Sequence, residues 1–205
     1  MRIALACVGL VVATLALAGC TVQVPGTASP SLASVAVPES PSPTPLADPP
    51  SNEGRFTDAQ GRFSLVPPTS WTADTSGAQG TAVVFLDPQP SSSVAGRFSS
   101  NINVLVVQSS ADLSATVLGA RQELLGLTAY ASTVDEQVTL GDGTAAHMLG
   151  GSFTDPGTGL TLRNVQLFTV HSGMTLVATG TSLQDVWSAY EQTFQTSLRS
   201  LTVAD

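Results

Sequence analysis

Residues able to do chemistry are scarce in this chain of 205 residues: it has two cysteines, Cys7 and Cys20, and two histidines, His147 and His171. Both cysteines fall within the first 20 residues, so the remainder has no disulfide framework and no Cys-based metal site. Two histidines without a third ligand fall short of a zinc site. They would approach each other if segments 144–153 and 160–171 paired as a hairpin. A Ser-His-Asp site would need one of them beside an exposed serine, and serines are common enough here for chance proximity. Asp135-Glu136 is the one adjacent acidic pair. Neighbouring strand residues point to opposite faces, so the pair reads as a solvated turn just before a strand, not as an acid/base couple. There is no Gly-x-Ser-x-Gly elbow, no His-Glu-x-x-His, no EF-hand loop and no glycine-rich phosphate loop between a strand and a helix. The expectation is no catalytic residue, no metal and no cofactor, and therefore not an enzyme.

Charge narrows the partners. Fifteen acidic residues stand against seven basic ones, all Arg, for a net charge of −8. That balance opposes nucleic acid, whose phosphates need Lys/Arg clusters, and opposes a basic patch on anionic lipid. Aromatics are 5% of the residues, so the core must rest on Val, Leu, Ala and Ile.

The thiol at position 20 has a setting of its own. Arg2 begins a short positive region, and Ile3 to Ala18 is apolar apart from Gly9 and Thr14. This is short for a spanning helix of ~20 residues and ends in small residues, as a secretory signal does. Leu17-Ala18-Gly19-Cys20 resembles the lipobox of bacterial lipoprotein signal peptides. The resemblance implies diacylglycerol on the Cys20 thiol, cleavage ahead of it, and Leu17, Ala18 and Gly19 as the peptidase recognition residues. Acyl chains contribute ~0.8 kcal/mol per buried CH₂, enough to anchor without a spanning helix. Residues 21–51 hold eight Pro, six Ser and three Thr, which makes them a spacer and not a core. Sugars on its hydroxyls are an open alternative. The reading is thus 1–19 signal peptide, 20–53 lipidated cysteine and linker, and 54–205 one globular domain.

Within that domain, "TAVVFLD" (81–87) and "NINVLVVQ" (101–108) read as central strands covered on both sides. "DLSATVLGARQELLG" (112–126) reads as a helix with Leu113, Val117, Leu124 and Leu125 on one side and Gly126 closing it. "EQVTLG", "GTAAHMLGGSFTD", "LTLRNVQLFTVH" and "MTLVATGTS" read as strands joined by Gly/Asp turns, hence antiparallel hairpins. The last helix is expected from Ser182, an N-cap with Asp185 three residues on. Its stripe is Leu183, Val186, Trp187, Tyr190, Phe194 and Leu198. The fold class is α+β: an antiparallel sheet of about six or seven strands with two main helices.

"GRFSLVPPTSW", then "VVFLDP", "NINVLVV" and the amphipathic last helix, behind the lipobox and linker, resemble the LpqN/LpqT-type mycobacterial and actinobacterial lipoproteins. Phe63, Leu65, Pro67 and Trp71 stand near that family's domain entry. The resemblance implies a Mog1/PsbP-like α/β/α sandwich on the outer face of the cell membrane, held by lipid and partly shed. It implies a non-catalytic binding or accessory module for an envelope or host protein. Two alternatives stand beside it: a carrier of an apolar ligand or lipid in a helix–sheet cleft, and an unrecognised hydrolase. The long polar segment 87–101 is the expected partner surface, with Trp71, Arg97 and Phe98 as candidate groove or contact residues.

Overall fold

The computed structural model describes residues 54–204. The proposed signal peptide, Leu17, Ala18, Gly19, Cys20 and the linker lie outside the described residues. The elements in chain order are β1 (Phe56–Thr57), β2 (Phe63–Leu65), β3 (Thr72–Asp74), β4 (Val83–Leu86), β5 (Ser91–Ser93), β6 (Gly96–Phe98) and β7 (Asn101–Gln108). Then follow α1 (Leu113–Leu125), β8 (Ala131–Thr139), β9 (Ala145–Thr154), β10 (Thr161–His171), β11 (Met174–Leu183), α2 (Trp187–Arg199) and β12 (Thr202–Val203).

Seven strands form one antiparallel sheet in the order β3-β4-β7-β11-β10-β9-β8. The four strands read from the second half of the sequence lie in its β11 to β8 part, joined by hairpins. The turn between β10 and β11 is Ser172-Gly173, both at positive φ (47° and 75°). Such a primed turn matches the twist of the strands it joins. A small sheet, β1-β2-β12, sits apart, and β5 pairs with β6 alone. Arg55 ties the small sheet to α2: its guanidinium donates to the Ser200 carbonyl at 2.9 Å and the Ser64 hydroxyl at 3.1 Å.

The two helices cover opposite faces. On one face, Trp187, Phe194 and Leu198 of α2 pack with Phe85, Ile102, Val104, Leu167, Leu176 and Ala178 into the main core. On the other, Val117, Ala120 and Leu124 of α1 pack on Leu149 and Phe168. The same face carries a second patch of Phe98, Phe153, Leu160, Leu162 and Leu183. This is an α+β sandwich of helix, sheet and helix.

Several local expectations change. β7 is buried almost continuously, but β4 alternates, so two-sided cover holds for β7 alone. Leu125 is 74% exposed, because Ala120 and Leu124 set the buried side of α1 and the next residue turns ~100° away. Gly126 ends α1 in the right-handed region (φ −78°), its N–H shared between the carbonyls of Glu123 and Leu124. Ser182 is not a cap: it is fully buried inside β11, whose pairing runs to Leu162–Leu183. Ladder bonds to β10 hold residues 182–183 extended, and a 3-10 turn at 184–186 precedes α2. Segment 87–101 is not an unstructured loop but contains the β5–β6 hairpin. β8 begins at Ala131, so Asp135 and Glu136 lie within it and not in a turn.

Candidate functional site

The two adjacent carboxylates of β8 reach opposite layers of the sandwich. Glu136 accepts from Arg199 of α2 at 2.7 Å. Asp135 faces α1, where Arg121 binds it with two bonds, Nε to Oδ2 at 2.8 Å and NH2 to Oδ1 at 2.7 Å. His147 Nε2 lies 2.7 Å from the same Oδ1. The bonds from Arg121 and then His147 hold the Asp135 carboxyl down at about 2. One edge strand is therefore clamped by an arginine from each helix. The sequence rule of alternating faces predicts the split, but no sequence signal reveals the two arginines.

A shallow pocket of ≈ 280 Å³ opens beside this cluster, lined by Leu113, Gln137, Val138, Thr139, Ala145 and Ala146. Gln137 is the cross-strand neighbour of His147. Among the described residues the hydrogen-bond partners of His147 are Asp135 and Arg121; no serine or threonine hydroxyl joins them. An aspartate already doubly bound by arginine is a structural ion pair more than a base in waiting.

The hairpin of segments 144–153 and 160–171 forms, but it does not bring the two histidines together. His147 pairs with Phe168, while His171 pairs with Met174 at the far end of β10. His171 lies three positions beyond Phe168, roughly 10 Å of strand, and the odd spacing puts the two imidazoles on opposite faces. Among the described residues no group of three or more His, Cys, Asp or Glu is placed to hold a metal.

Trp71 packs at the edge of the main core, its ring 6.1 Å from Phe194 and 6.2 Å from Tyr190. Tyr190 in turn donates to Asp87 at 2.7 Å, which fastens the start of segment 87–101 to α2. Phe98 corrects the reading from sequence: at 4% exposed it is an anchor inside the second patch, not a contact residue. It fixes the hairpin to the α1 side of the sheet. Arg97 beside it points out and has neither an ion pair nor a hydrogen bond among the described residues. Every other described arginine is engaged.

The α1 side has two further features. The large apolar side chains left in the open among the described residues, Val94, Leu118 and Leu125, all lie on the hairpin or α1. Beneath them the sheet face is banded. Register places Asn101, Asn103, Thr179, Thr181, Asn164 and Gln166 in two adjacent rows across β7, β11 and β10, with apolar residues beyond each row. The side-chain oxygens of Asn101, Asn103 and Asn164 are buried with no hydrogen-bond partner. The sheet face on the α2 side is continuously apolar; the face on the α1 side is interrupted.

A seven-stranded antiparallel sheet between two helices, with one edge strand tied to both, is an α+β sandwich whose fold is PsbP-like. Solved structures bear this out. The crystal structure of LpqN, involved in cell envelope biogenesis of Mycobacterium tuberculosis, is similar at 19% identity over 70% of this chain and 83% of that one, TM-score 0.54. The solution structure of the cyanobacterial PsbP protein, CyanoP, from Synechocystis is similar at 19% identity over 73% of this chain and 91% of that one, TM-score 0.51. At this identity the likeness is one of fold. No family model matches the chain, and no curated protein matches it in sequence. No helix among the described residues is long and apolar enough to cross a membrane.

Proposed function

We propose that this chain is a non-catalytic accessory or binding module of the cell envelope, anchored through lipid on Cys20, that engages a protein partner through its β5–β6 hairpin. The anchor reading rests on Leu17-Ala18-Gly19-Cys20 and the spacer behind it. The observation that carries the binding reading is the hairpin itself. It holds Val94, fully exposed, and Arg97, the arginine without a partner among the described residues, on an otherwise acidic body. Exposed apolar surface beside an unpaired arginine is the composition of an interface centre. The fold likeness to LpqN supports an envelope setting. The apolar-carrier reading fares worse, because the Asn/Thr band on the α1 side of the sheet is a poor bed for a lipid tail.

Two measurements test the proposal. Cys20→Ser moves the protein from the membrane fraction to the soluble one; unchanged retention refutes the anchor. A photo-crosslinking residue at Val94 traps a specific protein in intact cells, and the same residue at exposed Ser188 of α2 does not. Equal trapping from both positions refutes the hairpin as the site.

A further inference from the structure

One stretch of this acidic chain is free of acid. Between Asp87 and Asp112 the sequence has no carboxylate side chain, and its single charge is Arg97. The β5–β6 hairpin lies in that stretch, and its pleat sorts the residues onto two faces. Ser91, Ser93, Gly96 and Phe98 share the inner face, where Phe98 is buried and a Cβ on Gly96 would stand 4.0 Å from Leu160. Ser92 and Arg97 stand opposite each other on the outer face, and both are exposed. Cross-strand neighbours of this kind have Cβ atoms about 5 Å apart. The tip between them is held in shape by Ser93, whose hydroxyl donates to the Gly96 carbonyl at 3.3 Å and accepts from the Ala95 N–H at 3.2 Å.

We infer that the outer face of this hairpin receives the carboxylate of an Asp or Glu side chain of the partner protein, held by Arg97 and the Ser92 hydroxyl beside the Val94 tip. The inference rests on the hairpin being the partner site and names the chemistry the partner brings to it. A guanidinium fork matches a carboxylate with two parallel bonds. The chain uses that match itself, Arg62 with Asp58 and Arg121 with Asp135, both bonded through two nitrogens. Arg97 has the same fork and no acceptor among the described residues, on the one part of the sequence where no neighbouring carboxylate competes for it or repels an incoming one. Phe98 below and Ser93 at the tip fix the platform before binding, which lowers the ordering cost of the contact. Lipid phosphate fits less well, because a single arginine on a body of net charge −8 does not replace the basic cluster that an anionic membrane surface requires. A second copy also fits less well. It carries the same net −8, and its acidic surface set on the hairpin makes a head-to-tail contact without two-fold closure.

The chain has no lysine, so Arg97→Lys supplies its one lysine and keeps the positive charge. Intact cells carrying the full chain with Arg97→Lys are treated with a water-soluble carbodiimide, which joins an amine to a carboxylate in contact with it and leaves no spacer. Mass spectrometry then finds position 97 joined to an Asp or Glu side chain of the same protein that the Val94 photo-crosslink traps, several-fold above the yield from Ser188→Lys on α2. In parallel, Arg97→Glu cuts trapping from Val94 several-fold, and Arg97→Gln cuts it less, with far-UV circular dichroism unchanged. The inference is overturned if Val94 still traps its protein while position 97 joins no carboxylate on it, or if Arg97→Glu leaves that trapping unaltered; either result spares the hairpin as a partner site. Joining of position 97 only to a chain-terminal carboxylate, or only to a carboxylate of this same chain, overturns it as well. Trapping from Val94 no better than from Ser188 removes the hairpin reading and this inference together.

Discussion

Gly180 of β11 and Phe194 of α2 fill one space between them: a Cβ on Gly180 would stand 2.5 Å from the Phe194 ring. The aromatic ring lies against bare backbone, and it is also the ring against which Trp71, Trp187 and Tyr190 pack. Gly180→Ala therefore overfills the core. The expected loss is about 1–3 kcal/mol, read from urea denaturation. Adding Phe194→Leu to Gly180→Ala recovers part of it, and strict additivity of the two losses would contradict the shared space.

Acid should weaken the clamp on β8. The Asp135 carboxyl sits at about 2 when folded against 3.8 for the free side chain, so the unfolded chain takes up its proton first. The stability this gives is present above the unfolded value and lost as pH falls from about 4 toward 2. With the side chain 42% exposed, screening limits it to about 0.5–1 kcal/mol. Asp135→Asn flattens the pH dependence across that window; an unaltered acid limb counts against the clamp.

The Asn/Thr band makes the opposite prediction to an ordinary core substitution. Asn103 is 2% exposed and its Oδ1 has no partner. Asn103→Leu keeps the branching at Cγ and removes a buried, unpaired acceptor, so stability should rise by about 1 kcal/mol. A fall of that size would mean that the oxygen is satisfied in solution.

Gly119→Ala should stabilise the chain by about 1 kcal/mol, since α1 gains helix propensity and the new methyl meets nothing. A loss of stability in thermal melts of the monomer would show a constraint on Gly119 within the chain.

The central sheet was the legible part. Segment 101–108 and the turns at 141–143, 155–159 and 172–173 carry their structure in local pattern, because strand alternation and Gly/Asp turns are short-range chemistry. What escaped depends on long-range pairing. Ser182 looks like a cap until Arg163 pairs with it across the sheet. Phe98 sits in a polar stretch and is buried only because Phe153, Leu162 and Leu183 come from three distant strands. Gly180 reads as a weak point in a strand; only the position of Phe194 makes it a requirement. The Asp135–Arg121–His147 cluster joins residues 12 to 26 positions apart, with no periodicity to announce it.

Arg55 is the second described residue, and its guanidinium grips the carbonyl just past the end of α2 as well as the hydroxyls of Ser64 and Thr202. Anything that pulls on the polypeptide ahead of it is thus coupled mechanically to the helix that fills the main core. Strain entering from that direction meets the end of α2 and the small sheet before it reaches a strand of the large sheet.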